Sequence, residues 1–480
     1  MPEEAVGPIR VSHGRDLRRE TFYYSLALFV GGLVQIAFLP FISSFLTADA
    51  AGELGTLRVI SEAVAGIVVL GLPTALIRAW HRTSAHRMVL VRGMSFPLIP
   101  ALLSALLVLL LGRTLTSVLH LSTPGFLGHA LLLGISAAYV QIVLAFPRAD
   151  GLAGRYLVYQ VVRGLASLAG LWALLKLTTV GAIDSFMVAR WLPSFAMVLA
   201  AGAFMWVRTS ESRSEAPPAT LNRELFSFSL PLVPAGLALI VLSSSDMFML
   251  RVMSPSLSES GYYEWASRVC LGLMPLILGF DMAWKRYIFR KKETGGTIAE
   301  LGRAGLLFMV LVNWISMLLA MASPPIVAAL GGGEFWPAVR VLPTLAAASA
   351  MYGLFLISQT GCLLTGQTKY VAWMTLFGAM LNIGFNMRLI PVAGALGAAF
   401  ATMATNLFMA LSLFWLGRKV FPISFLAVTL TVIPPLTFGP LATLGPGWRA
   451  VVVLAGSLLT VVVVWLLRLM GTTLSPVPRE

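Results

Sequence analysis

Cysteine is nearly absent. Cys270 and Cys362 are the only two, each inside an apolar segment, which excludes a disulfide framework and a thiolate metal cluster. Charge is also scarce: 11% of residues are charged and 58% apolar, and a water-facing surface cannot be built from that mixture. Acidic residues are fewer than basic ones, 20 against 34, and the six aspartates are isolated, with no paired-carboxylate motif of the kind that holds a metal and a sugar nucleotide. There is no phosphate loop, no dinucleotide-binding glycine pattern, no HExxH and no CxxC. No large extracytoplasmic loop is available to house a ligase or polymerase site. The reading is therefore of a non-enzyme without cofactor or metal.

Apolar runs are what the chain has in abundance. Its mean hydropathy is +0.87, and a bilayer core about 30 Å thick needs roughly 20 mostly apolar residues per spanning helix. Such runs follow one another between charged or Gly/Pro-rich breaks. An all-α polytopic membrane protein of about fourteen transmembrane helices is expected. Residues 1–20 form a basic N-terminus, ahead of a first span that is too long for a signal-peptide core and lacks a clear cleavage site. Six spans make an N-lobe over residues 21–207 and six a C-lobe over 227–417. Between them, residues 208–226 contain RTSESRSEAPPATLNREL and read as a flexible cytoplasmic linker. Residues 418–480 hold two further helices, near Phe421 to Leu441 and Arg449 to Met470, and a short tail.

The net charge of +14 behaves as a topology signal and does not point to nucleic acid. With the N-terminus in the cytoplasm, Lys and Arg sort as roughly 24 inside and about 7 outside, with Arg163, Arg190 and Arg268 within spans. Both termini are thus expected in the cytoplasm of a bacterium, with the chain in its inner membrane. The lobes look related. Gly52 with GLPTALIRAW (Gly71 to Trp80) matches Gly261 with GFDMAWKRYI (Gly279 to Ile288) at an offset of about 208 to 210 residues. Parallel repeats of this kind are a transporter design with the substrate path between lobes.

Ionisable residues inside hydrocarbon cost a few kcal/mol and face a cavity or a partner. Arg58 precedes Glu62 by four residues and Glu264 precedes Arg268 by four, so each pair shares a helix face. By the repeat, these pairs sit at similar depth in the two lobes. Arg190 lies at comparable depth, Arg163 about two turns in from the cytoplasmic end, and Arg78 at the inner mouth. If these arginines face the space between lobes, they make a cationic path suited to an anion, such as a polyprenyl pyrophosphate bearing sugars. Two roles are open to Arg58 and Arg78, lumen cation or interfacial anchor. Glu62 and Glu264 either neutralise the neighbouring arginines or couple transport to H+ or Na+, and the membrane potential is a further source of drive. Asp246 is expected to pair with Arg251 or with another helix. Asn382 and Asn386 read as helix glue, and Asp281 with Lys285 as an interfacial pair.

Specific strings resemble the oligosaccharide flippases of polysaccharide biosynthesis, the O-antigen flippase type, within the superfamily that includes multidrug/toxin exporters and lipid II flippases. LPFISSFLTADAAGELGTLRVI and GLPTALIRAW are similar to their first two helices. SLPLVPAGLALIVLSSSDMFMLRV, GYYEWASRV and AWKRYIFRK are similar to the seventh and eighth, and LLTGQTKYVAWMTLFGAMLNIGFNMRLIPVAGALGAAFAT to the eleventh and twelfth. The resemblance implies alternating access and export of undecaprenyl-pyrophosphate-linked glycan units for O-antigen, capsule or exopolysaccharide. Partners would then be that glycan, membrane lipids and the polymerase and chain-length proteins of polysaccharide assembly. One departure is that Asp246 is followed by Met247 where the family commonly has Asp-Arg, so the role of that basic residue is lost or moved, with Arg251 a candidate. A multidrug exporter or lipid II flippase of the same fold, a non-transporting scaffold and a membrane glycosyltransferase are the competing readings.

Overall fold

The computed structural model describes residues 14–69, 71–210, 221–230, 233–293 and 298–418. The first half of the chain folds as α1 (Gly14–Ala37), α2 (Leu39–Phe45), α3 (Ala48–Val69), α4 (Leu72–Arg82), α5 (His86–Ser95), α6 (Leu98–Val118), α7 (Gly125–Ala149), α8 (Ala153–Leu177) and α9 (Ala182–Ser210). A short α10 (Leu221–Ser229) follows. The second half folds as α11 (Val233–Met253), α12 (Ser258–Cys270), α13 (Met274–Glu293), α14 (Ile298–Met321), α15 (Ser323–Leu330), α16 (Ala338–Ser358), α17 (Thr360–Leu364) and α18 (Thr368–Gly417).

Ten of the described stretches are long and apolar enough to cross a membrane. Their outward faces carry what a soluble protein would bury. On α6, Leu102, Leu103, Leu109 and Leu110 are all exposed, which is stable only against lipid. At the opposite extreme, α16 is buried on nearly every side, its run of Ala, Gly and Ser letting neighbours approach closely. The two predicted C-terminal helices lie outside the described residues. Ends of the expected linker prove helical. Leu221 and Leu225, four apart on α10, bury against a core that includes Leu72, Leu76 and Ala79 of α4, and that apolar face orders a stretch whose polar composition reads as irregular.

Contacts sort into two groups. Helices α3, α7, α8 and α9 pack on one another with α1, and α11, α14, α16 and α18 make a second body. The bodies meet where α3 crosses α11 and α12. At that crossing Gly52 and Gly261, matched by the internal repeat, abut: a Cβ on Gly261 would fall 1.7 Å from the Ala48 carbonyl oxygen, and one on Gly52 2.8 Å from the Gly261 nitrogen. Only glycine permits this approach. It lies at the far end of the bundle, opposite the Gly14 end of α1.

The eleventh and twelfth expected spans are the two halves of α18, kinked at Gly394, whose φ of 53° takes the backbone out of the helical region. The kink frees the Ala395 N–H, which donates to Glu259 Oε2 of α12 at 2.8 Å, so α12 caps the second half.

Candidate functional site

Four of the charged residues predicted within spans, Arg58, Glu62, Glu264 and Arg268, assemble into one chain that crosses between the bodies. On α3, Arg58 Nη1 donates to Glu62 Oε1 at 2.6 Å, the one-turn pair expected from the spacing. On α12, Arg268 Nε donates to Glu264 Oε1 at 2.8 Å, with Nη2 2.7 Å from the same oxygen. Arg58 also reaches across, Nη2 to Glu264 Oε2 at 3.1 Å and Nε to Oε1 at 3.3 Å. The ends of the chain cross again. Ser244 on α11 donates to Glu62 Oε2 at 2.9 Å, and Arg268 Nη1 donates to Gln35 Oε1 on α1 at 3.3 Å. Glu264 and Arg268 are buried, with side chains 1% and 2% exposed. A buried carboxylate between two guanidiniums is stable because each keeps a partner.

Beside this chain lies a cavity of about 560 Å³, walled mainly by α1, α3, α7, α8 and α9 and reaching α11 at Ile240. Arg58, Glu62, Arg163 and Arg190 line it. Along α3 it runs from Arg58 to Val69, while the far end beyond Arg58 is shut. Arg190 on α9 rests its guanidinium 5.9 Å from the Phe38 ring and leaves Nη1 buried without a hydrogen-bond partner. Neither Arg163 nor Arg190 has an ion pair among the described residues. Four guanidiniums (Arg58, Arg163, Arg190, Arg268) against two carboxylates (Glu62, Glu264) leave an excess of two positive charges around the cavity. Such a site can hold an anion.

Other predicted residues fall elsewhere. Arg268 does not line the cavity, because Glu264 and Gln35 hold its guanidinium inside the interface. Arg78 is exposed and lines a separate cavity of about 230 Å³ with Arg82 and Glu224. Asp246 does not pair with Arg251: five residues apart on one helix, their side chains point about 140° away from each other. Asp246 instead accepts from Tyr263 Oη at 2.6 Å, from Asn386 Nδ2 at 2.5 Å and from Thr402 Oγ1. Asn386 also donates to Asn382 Oδ1 at 3.0 Å, so both asparagines tie α11 to α18. Lys285 and Asp281 pair at 2.7 Å.

Arg251 serves the far end, a role that sequence reading missed. Its guanidinium, 2% exposed, pairs with Asp49 of α3 and donates from Nε to the Leu119 carbonyl at 3.0 Å and from Nη2 to the His120 carbonyl at 2.6 Å. His120 presents that carbonyl from a left-handed φ of 49°. The Ala48 N–H donates to Glu334 Oε1 at 2.9 Å. These contacts clamp one body on the other above the cavity.

A bundle of two packed helical bodies, with a charged cavity walled mainly by the first of them, is a fold shared with solved membrane proteins. The lipid II flippase MurJ in an inward closed conformation superposes with a TM-score of 0.68 at 12% identity, over 93% of this chain and 98% of that one. An inward-facing MATE multidrug resistance transporter of the MOP superfamily gives 0.60 at 15% identity, over 84% and 94%. A MOP superfamily transporter from Pyrococcus furiosus, described as having a binding pocket of reverse polarity, gives 0.59 at 13%, over 84% and 96%. No curated protein matches the sequence. The profile of the polysaccharide biosynthesis protein family matches residues 17–284, and the chain belongs to that family.

Proposed function

We propose that this protein is a flippase that carries undecaprenyl-pyrophosphate-linked oligosaccharide units across the bacterial inner membrane for surface polysaccharide assembly. The observation that carries the reading is the pair of cavity guanidiniums, Arg163 and Arg190, that have no ion pair among the described residues. A pyrophosphate brings two or more negative charges into a site with an excess of two positive ones, and guanidinium forks match phosphate oxygens in pairs. The shut far end then corresponds to the periplasm and the cavity to an inward-facing state, with both termini cytoplasmic. A potential negative inside favours outward movement of the headgroup by about 2.3 kcal/mol per charge per 100 mV. A lipid II flippase would use the same headgroup chemistry, so the family match is what favours polysaccharide units. A multidrug exporter of cationic compounds is disfavoured by the sign of the cavity.

The test is outward movement of a polyprenyl-pyrophosphate-linked sugar by purified protein in liposomes. Arg163→Ala is expected to lower the initial rate roughly tenfold or more, the cost of one charged hydrogen bond. An unchanged rate in that variant, or no movement by the parent, counts against the reading.

A further inference from the structure

Of the ion pairs in the charged chain, the one that crosses between the lobes is the longest. Arg58 meets Glu264 at 3.1 and 3.3 Å, whereas Arg58 meets Glu62 at 2.6 Å and Arg268 meets Glu264 at 2.7 and 2.8 Å. The two ends of that link also differ in access. Arg58 lines the cavity and its side chain is 21% exposed, while Glu264 is 1% exposed and lies behind it. An anion entering the cavity therefore reaches the guanidinium and not the Glu264 carboxylate, although Glu62 lines the cavity beside Arg58. Exchange at this point strands no charge: Glu264 keeps Arg268, and Arg58 keeps Glu62 while gaining the ligand. Stranding a buried charge is what makes most buried ion pairs costly to open.

We propose that Glu264 is a resident stand-in for the substrate's phosphate, occupying Arg58 in the empty protein and yielding it to the bound headgroup, so that loading removes an ion pair joining the two lobes. This deepens the anionic-headgroup reading and rests on it. Glu264 then has two functions. It neutralises Arg58 when no ligand is present, which lets the unloaded cavity persist with a smaller uncompensated charge. It also converts occupancy into lobe freedom, since a ligand shifts a conformational equilibrium only through a contact that differs between states. Glu62, on the same helix as Arg58, competes for the same guanidinium, but its cross-lobe tie is the neutral hydrogen bond from Ser244.

The experiment uses the full chain in nanodiscs with inorganic pyrophosphate as the probe. Spin labels at Thr123 and Ser256, exposed positions on opposite lobes at the far end, report separation in a background with Cys270 and Cys362 replaced by alanine. In the parent, pyrophosphate is expected to bind and to shift the distance distribution to longer values. Glu264→Gln removes the competitor. It should bind pyrophosphate about tenfold tighter, a typical effect for a close charge pair, and should show the longer distances before any ligand is added, with no further shift.

Arg58→Gln leaves the Glu264 and Arg268 pair intact and guards against a folding failure in the first variant. It should bind pyrophosphate more weakly and show no ligand-driven shift. Unchanged affinity in Glu264→Gln, a parent whose lobes do not respond, or a surviving response in Arg58→Gln overturns the proposal, while binding that depends on Arg190 leaves the anion site standing. A parent that does not bind pyrophosphate overturns both.

Discussion

Replacing Arg190 with alanine is expected to make the protein more stable and nearly inactive. Among the described residues Arg190 has no ion pair, and one of its nitrogens is buried without a hydrogen bond. Its charged neighbours across the cavity, Arg58, Arg268, Glu62 and Glu264, balance one another, so in the empty state Arg190 is itself one of the two uncompensated positive charges. Removing a half-buried charge without an ion pair relieves a desolvation cost of about 1–2 kcal/mol. In the loaded state the same guanidinium faces the ligand, and losing a buried partner of an anion costs about 2–5 kcal/mol. The flipping rate should therefore fall by roughly two orders of magnitude while the detergent-solubilised protein melts at a higher temperature. A residue that only holds helices together would move both quantities downward.

The second large effect is at the far end. Arg251→Ala removes the centre of a three-way clamp on Asp49 and the carbonyls of Leu119 and His120. Breaking a buried pair costs about 3–5 kcal/mol, and here the cost is borne only by the state in which the far ends touch. An equilibrium moved by about 3 kcal/mol shifts by roughly two orders of magnitude, enough to make the far-open state dominant. Spin labels at Thr123 and Ser256 should report long distances in this variant without ligand. Arg251→Lys should restore the closed state only in part, because an ammonium replaces the charge but not the planar fork that serves two carbonyls and a carboxylate together.

How much of this was legible in the sequence depends on distance along the chain. The pairs Arg58 with Glu62 and Glu264 with Arg268 were readable because four-residue spacing fixes a shared face whatever surrounds the helix. The repeat offset carries Gly52 onto Gly261, and those two glycines prove to be where the lobes touch. What could not be read is which way each helix turns, since packing sets rotation. That left the Arg58 and Glu264 link, 206 residues apart, invisible. It also left open whether Asp246 pairs with Arg251 or with another helix, and its partners come from α12 and both halves of α18. Tyr263, Thr402 and Gln35 carry no signal that separates them from the many other polar residues in spans. The ordered face of α10 was hidden by its charged neighbours, although the four-residue spacing of Leu221 and Leu225 was the clue.

The central claim is that the cavity serves an anionic lipid-linked glycan. It is tested most directly by deleting the gene in its own host and extracting polyprenyl-linked glycans alongside an assay of surface polysaccharide. The account predicts that lipid-linked repeat units accumulate and surface polymer is lost, with rescue by the parent gene and not by Arg190→Ala. Unchanged glycans together with new sensitivity to cationic drugs would contradict it and make the protein a drug exporter of the same fold.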